Sequence, residues 1–159
     1  MVFYIAGIFG GIFVGGSQTN TASYENIPIM SRFDGLSQQN LFIEIAINNL
    51  RVGLLNFLFS LISFGLISCV YFLYNGFVFG ITIGCTFKNI NCLNLCKLTL
   101  PHSILEFAGF LIMGFAGFTI SKVYLYKRQL SYIKIIKLIC LGFIIINLAA
   151  YLEAYVSTL

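Results

Sequence analysis

Charged residues are scarce in this chain of 159 amino acids. Asp, Glu, Lys and Arg together make up 9% of it, proline occurs twice, histidine once and tryptophan not at all. A soluble domain carries roughly 25% charged residues. The shortage of charge excludes a soluble globular domain, a disordered tail and a nucleic-acid-binding protein, because each of these depends on many charged or polar side chains.

Hydrophobic residues dominate what remains. They make up 59% of the sequence, and the mean hydropathy is +0.96. The apolar runs are continuous, whereas the strands of a membrane barrel alternate between apolar and polar residues. Because lipid offers the backbone no hydrogen-bond partner, only helices and closed barrels cross a bilayer. The sequence therefore predicts an all-α, polytopic transmembrane helical bundle, with residues 1-159 forming a single integral membrane domain.

The apolar runs predict five membrane-embedded segments. The Asn75-Gly76 dipeptide is a turn signal and separates the second segment from the third. The stretch Leu41 to Arg51 is interpreted as an interfacial elbow before the second segment, and the third is partly re-entrant because it becomes polar after Phe87. The predicted segments are residues 2-16, 53-74, 77-97, 101-121 and 138-156.

A four-span alternative joins Gly53 to Phe87 in one helix. Such a helix would be about 52 Å long, whereas the hydrocarbon layer is about 30 Å thick. The distribution of cationic residues favours four spans, and the excess length favours five segments, which is the arrangement we expect. The alternative stays open at this point.

Positive charge is concentrated near the end of the chain. Five of the nine cationic residues lie in one loop, at Lys122, Lys127, Arg128, Lys134 and Lys137. By the positive-inside rule this loop, residues 122-137, is cytoplasmic. With five segments, the N-terminus is then inside, whereas the connector Ser17 to Gln39 and the C-terminus are outside. We expect a multi-pass protein of the cell membrane.

Glycine recurs at helical spacing in three places. Two doubled GxxxG faces indicate close helix–helix packing, within one chain or in a homo-oligomer. A third group of small residues follows Glu106 along one helical face. The predicted packing residues are Gly7, Gly11, Gly15, Gly76, Gly80, Gly84, Gly109 and Gly117.

Polar and ionisable residues occur inside the apolar segments. His102 and Glu106 are four residues apart and share a helix face. An ionisable group at this depth is a functional-site hypothesis by default. The candidate buried network or substrate path comprises Asn49, Asn56, Asn75, His102, Glu106, Asn147 and Glu153.

Three interpretations of these residues remain open. They form a structural hydrogen-bond network, or they bind a cationic or peptide substrate or relay protons, or they bind a metal or perform acid–base chemistry. The third lacks support, because the sequence has no HExxH pattern and a single histidine. Cys92 and Cys96 are spaced as a metal pair but have no second pair nearby. We expect no metal, no cofactor and no catalytic residue.

Four motifs, in order, resemble the stage II sporulation protein M family of integral membrane proteins. The third matches a Pro-His-Gly…Glu-x-x-Ala signature, except that Ser103 stands where the family usually has glycine. The resemblance covers nearly the whole chain, and its signature positions here are Asn49, Asn75, His102, Glu106 and Glu153. The motifs are Asn48-Asn49-Leu50-Arg51-Val52, Tyr74-Asn75-Gly76-Phe77-Val78-Phe79-Gly80, Leu100-Pro101-His102-Ser103-Ile104-Leu105-Glu106-Phe107-Ala108 and Ala149-Ala150-Tyr151-Leu152-Glu153-Ala154-Tyr155.

The resemblance implies a non-enzymatic integral membrane subunit. One group of similar proteins consists of accessory or permease-like components of peptide export, immunity or transport, working alongside an ABC ATPase. The alternative is a membrane scaffold for cell-envelope remodelling of the sporulation or engulfment type, which anchors peptidoglycan hydrolases. Expected partners are the lipid bilayer, a second copy or another membrane protein, and a peptide substrate, but no nucleic acid. We favour the first group because this chain lacks a soluble domain that would recruit hydrolases broadly.

Overall fold

Five α-helices make up the part of the chain that the structure describes. The computed structural model describes residues 2–17, 37–86, 92–127, 129 and 131–155, with backbone alone for 85, 86 and 92–98. No strand occurs among these residues, and the prediction of an all-α bundle is confirmed. The helices are α1 (Val2–Ser17), α2 (Gln38–Ser63), α3 (Leu66–Thr86), α4 (Cys92–Leu125) and α5 (Tyr132–Tyr155).

Four stretches of helix are long and apolar enough to cross a bilayer, one in each of α2 to α5. The remaining helix, α1, is apolar but has 16 residues, which corresponds to about 24 Å. Its length therefore falls short of a full crossing of about 30 Å. The four candidate spans are Gln38–Ser63, Leu66–Gly84, Thr99–Leu125 and Tyr132–Tyr155.

A sharp turn at Phe64 and Gly65 separates α2 from α3. Both residues have positive φ angles, 53° and 87°, a conformation that glycine adopts at no steric cost. The amide of Gly65 donates to the carbonyl of Ser60 at 3.1 Å. The hydroxyl of Ser63 accepts from the amide of Ile67 at 2.9 Å. These bonds provide partners for backbone groups that the two helix ends leave free.

The turn predicted at Asn75-Gly76 is wrong, because α3 continues through both residues. The side-chain amide of Asn75 donates to the carbonyl of Tyr71 at 2.8 Å, one helical turn earlier. Gly76 is buried against the backbone of Tyr4 in α1. A local turn signal is overridden here by packing against another helix, and the 53-74 segment is divided at Gly65.

Two other predicted boundaries also differ from the structure. The interfacial elbow at 41–51 does not form a separate element, because α2 runs without a break from its N-cap residue Ser37. α4 begins at Cys92 and contains Pro101 in its interior, so the segment 77-97 is divided between α3 and α4. In the turn around Pro101, the hydroxyl of Ser103 donates to the carbonyl of Thr99 at 2.7 Å.

The first and third helices run parallel and pack through their glycines. A Cβ atom at Gly76 or Gly80 would overlap the carbonyl oxygens of Tyr4 and Ile8, respectively. One at Gly84 would lie 2.7 Å from the carbonyl oxygen of Ile12. The two backbones are thus in direct contact at successive turns, an approach that only glycine permits.

The other three helices form a separate core. Phe110, Met113 and Ile146 are buried together between α2, α4 and α5. Gly142 of α5 faces Met113, since a Cβ there would lie 2.9 Å from the Met113 sulfur. Gly109 of α4 faces Ile146 in turn, at 2.6 Å from its Cγ1 atom. As residue numbers rise on α4 and fall on α5, these two helices are antiparallel.

The α1–α3 contact yields a stability prediction. Gly11→Ala would place a Cβ against the Phe77 carbonyl oxygen, and we expect it to lower the free energy of unfolding by about 1–3 kcal/mol, as overpacking does. Gly16→Ala is the matched control, because nothing lies within 4 Å of the added atom. Thermal unfolding of both variants in one detergent measures the difference, and equal melting temperatures would contradict the packing account.

Candidate intramembrane polar site

Three helices contribute side chains to one polar site inside the bundle. The side-chain amide of Asn49 in α2 donates to Oε1 of Glu106 in α4. The carboxyl group of Glu153 in α5 lies close enough to that of Glu106 for the two to interact. Asn49 is buried, with 6% of its surface exposed, whereas both glutamates are partly buried. The carboxyl pair formed by Glu106 and Glu153 therefore connects α4 to α5, and Asn49 connects it to α2.

Two neighbouring carboxyl groups inside an apolar bundle favour a shared proton. An ionised carboxylate only accepts hydrogen bonds, so Glu106 and Glu153 can bond to each other only if one of them is protonated. Two ionised carboxylates at this separation would repel each other. Asn49 donates to Glu106 from the other side. We therefore expect the pair to hold one proton, and Asn49 supplies a further donor to the site.

Small residues bring the carboxyl pair together. Gly109 lies three positions after Glu106, so it is on the same face of α4, and it contacts Ile146 of α5. On α5, Ala149, Ala150 and Ala154 are fully buried. Without larger side chains in between, the two helices approach closely enough for the carboxyl groups to meet.

Aromatic side chains lie next to this site. The ring of Tyr4 in α1 stacks on Phe107 with centroids 4.5 Å apart and meets Phe72 edge-on at 6.3 Å. His102, one turn before Glu106, is buried, with 8% of its surface exposed. Tyr4 was missed from the sequence, although its position three residues before Gly7 places it beside the predicted packing face.

A second polar contact joins α2, α3 and α4. The Asn56 amide nitrogen donates to the carbonyl of Phe110 at 2.7 Å, and its oxygen accepts from the hydroxyl of Ser68. Gly114 leaves the space for Asn56, since a Cβ there would lie 2.7 Å from its amide nitrogen. Asn56 is 1% exposed, and its bonds go to backbone and hydroxyl groups, so this contact is structural.

A serine and a glycine join α2 and α4 at the end of their interface that lies away from Glu106. The hydroxyl of Ser121 reaches the carbonyls of Ser60, at 3.3 Å, and Leu61. One turn earlier, a Cβ at Gly117 would overlap the carbonyl oxygen of Phe57. Ser68 and Ser121 were not singled out from the sequence, because a serine in an apolar helix carries no signal of its partner.

Two predicted members of the network lie apart from the carboxyl pair. Asn75 bonds to Tyr71 of its own helix. Asn147 is exposed on α5, and its amide donates to the carbonyl of Phe143 at 2.8 Å, again within one helix. Each amide therefore bonds to a backbone carbonyl in its own helix, and neither links two helices.

The structure gives no indication of a metal centre in the part of the chain it describes. No group of three or more His, Cys, Asp or Glu residues lies close enough to hold a metal ion among the residues with described side chains. The side chains of Cys92 and Cys96 lie outside that set. The described side chains of the site offer two neighbouring carboxyl groups and the amide donor of Asn49.

Comparisons with known proteins match the whole chain. A fold of long apolar helices around an intramembrane polar site defines a multi-pass helical membrane protein. The profile of the stage II sporulation protein M family matches residues 1–158, and the chain belongs to that family. It is similar to an uncharacterized protein of Methanocaldococcus jannaschii, with 35% identity over 99% of this chain and 90% of the relative. No solved structure matches the chain.

Two asparagines provide a matched test of the polar site. Asn49→Leu removes the donor to Glu106, and we expect a loss of about 1–3 kcal/mol in the free energy of unfolding, the usual cost of an unsatisfied buried group. Asn147→Leu makes the same chemical change at an exposed position bonded to its own helix, and we expect little change. Thermal unfolding in detergent gives the comparison, and an equal loss in both variants would contradict the assigned role of Asn49.

Proposed function

We propose that this chain is a non-enzymatic membrane subunit that works in transport, as an accessory or permease-like component of peptide export or immunity beside an ABC ATPase. The observation that carries the proposal is the pair of neighbouring carboxyl groups, Glu106 and Glu153, inside an apolar bundle. Ionisable residues at membrane depth are costly and mark the pathways of ions, protons and substrates.

The chemistry of the pair suits a cationic substrate. Glu106 and Glu153 keep part of their surface exposed, whereas Asn49 behind them is buried. A cationic group on a peptide, or a proton moving along a relay, would exchange with the proton that the pair holds. Asn56 and Ser121 donate hydrogen bonds to backbone carbonyls of neighbouring helices. These bonds support a rigid bundle around a site at which a proton or a cation exchanges.

The energy for transport would come from a partner. The described connections between helices are short, with two residues between α2 and α3 and residues 126–131 between α4 and α5. The sequence connector Ser17 to Gln39 has 23 residues, fewer than the roughly 50 residues of a small domain. This supports the proposal of a subunit without catalytic activity of its own.

Tolerance to a membrane-active cationic peptide tests the function in cells. We expect the chain, expressed with an ABC ATPase partner, to raise the tolerance of the cells. Glu106→Gln should abolish this gain while keeping the fold, because Gln retains hydrogen bonding but cannot carry a charge. Asn147→Leu is the control and should protect as well as the unaltered chain. Full protection by Glu106→Gln would contradict the proposal, and co-purification with peptidoglycan hydrolases instead of an ATPase would favour the scaffold.

We also propose the orientation of the bundle. The parallel run of α1 and α3, with α2 turning back between them, supports five segments that alternate in direction. The cationic loop 122–137 is then cytoplasmic, the N-terminus is inside, and the connector Ser17 to Gln39 and the C-terminus are outside.

Cysteine labelling on intact cells tests this orientation. In a background without the five native cysteines, Tyr24→Cys should react with an impermeant maleimide, because the first connector is outside. Gln129→Cys should react only after the membrane is breached, since the last loop is inside. Labelling of Tyr24→Cys only after breaching would contradict the proposed orientation.

A further inference from the structure

One end of the bundle carries an unbalanced positive charge. The last turn of α4, the turn that follows it and the first turns of α5 expose four lysines, here called the basic end: Lys122, Lys127, Lys134 and Lys137. The sequence has no Asp or Glu between Glu106 and Glu153. None of the four lysines has a carboxylate partner in the described part of the chain. Their charge is therefore available to a partner outside this chain.

The helix pairing brings these lysines to one level. The antiparallel contact of Met113 with Gly142, continued along both helices, sets Lys122 opposite the first turn of α5. Lys134 then lies at nearly the same depth, and Lys137 is one turn deeper. Glu106 lies 16 residues before Lys122, about 24 Å away along α4, which is too far for an ion pair. The carboxyl pair at the other end does not neutralise the basic end.

The side chains around the lysines place them at the membrane surface. Three exposed tyrosines frame the basic end, Tyr124, Tyr126 and Tyr132, and tyrosine is enriched at membrane–water interfaces. Exposed Ile133 and Ile136 continue the lipid-facing surface of α5 up to the lysines. The aliphatic parts of the lysine side chains can lie along this apolar surface while their ammonium groups reach the lipid headgroups.

We infer that the basic end binds the headgroups of anionic phospholipids. The ammonium groups would contact the lipid phosphate, and the acyl chains would lie against Ile133 and Ile136. A free phosphate shares the first contact but not the second, so the apolar face beside the lysines favours a lipid. Each lysine near an anionic membrane surface strengthens binding by about fivefold. The inference rests on the charge and exposure of this end and is independent of the proposed transport function.

Native mass spectrometry of the purified full chain in detergent micelles tests the inference. The probes are phosphatidylglycerol, which is anionic, phosphatidylcholine, which is zwitterionic, and inorganic phosphate alone. The test variant combines Lys122→Gln, Lys127→Gln, Lys134→Gln and Lys137→Gln. The matched control removes the same charge elsewhere in the sequence, by Arg32→Gln, Arg51→Gln, Lys88→Gln and Lys97→Gln.

We expect the unaltered chain to retain phosphatidylglycerol in preference to phosphatidylcholine and to keep it in the presence of millimolar phosphate. The test variant should lose this preference, and the control variant should keep it. If the combined variant does not fold, as judged by circular dichroism, the single variants decide, each weakening phosphatidylglycerol binding by about fivefold.

Four results would overturn the inference: equal retention of the two lipids, equal loss in test and control variants, displacement of the lipid by phosphate, or unchanged lipid binding in the single lysine variants. An acidic protein partner that is lost from the test variant while phosphatidylglycerol binding persists would assign the basic end to that protein instead.

Discussion

The meeting of two carboxyl groups, those of Glu106 and Glu153, is the contact on which the α2–α4–α5 part of this bundle depends. Inside a bilayer a polar group without a partner costs several kcal/mol, so we expect Glu106 and Glu153 to satisfy each other. That requires a shared proton and a donor from Asn49. The three side chains come from three helices, and their positions relative to one another are set by this one site.

The remaining contacts divide the bundle into two parts held together in different ways. α1 and α3 meet through backbone at their glycines, whereas α2, α4 and α5 combine an apolar core around Met113 with polar bonds. The two parts join at the Phe64-Gly65 turn, at the bond from Ser68 to Asn56, and at the stack of Tyr4 on Phe107.

The sequence predicted the class of the protein but not which helices pack against each other. Continuous apolar runs predict a helical membrane bundle because lipid leaves the backbone few alternatives, and four ordered motifs pointed to the family that the comparisons confirm. The turn at Asn75-Gly76 was wrong, because a dipeptide preference worth a fraction of a kcal/mol yields to the burial of Gly76 against α1. The real break at Gly65 has no comparable signal, since a lone glycine in an apolar run is also a packing residue.

The polar site was predictable in part for the same reason. An ionisable residue at membrane depth signals a site wherever it occurs. Glu106 and Glu153 could therefore each be identified from the sequence without knowledge of the other. Helical spacing does not say which helices are neighbours, and it therefore gave no means of separating Asn49, which reaches across to α4, from Asn147, which bonds within α5. Tyr4 lies beside the site because α1 packs against α3 and its ring stacks on Phe107.

Infrared spectroscopy of the protein in lipid tests the central claim, that Glu106 and Glu153 hold one proton between them. A protonated carboxyl group has a C=O stretching band that an ionised carboxylate lacks. The account predicts this band in the unaltered chain and in a Glu44→Gln control, and its loss in the Glu106→Gln, Glu153→Gln double variant. An unaltered chain whose spectrum in this region equals that of the double variant would contradict it.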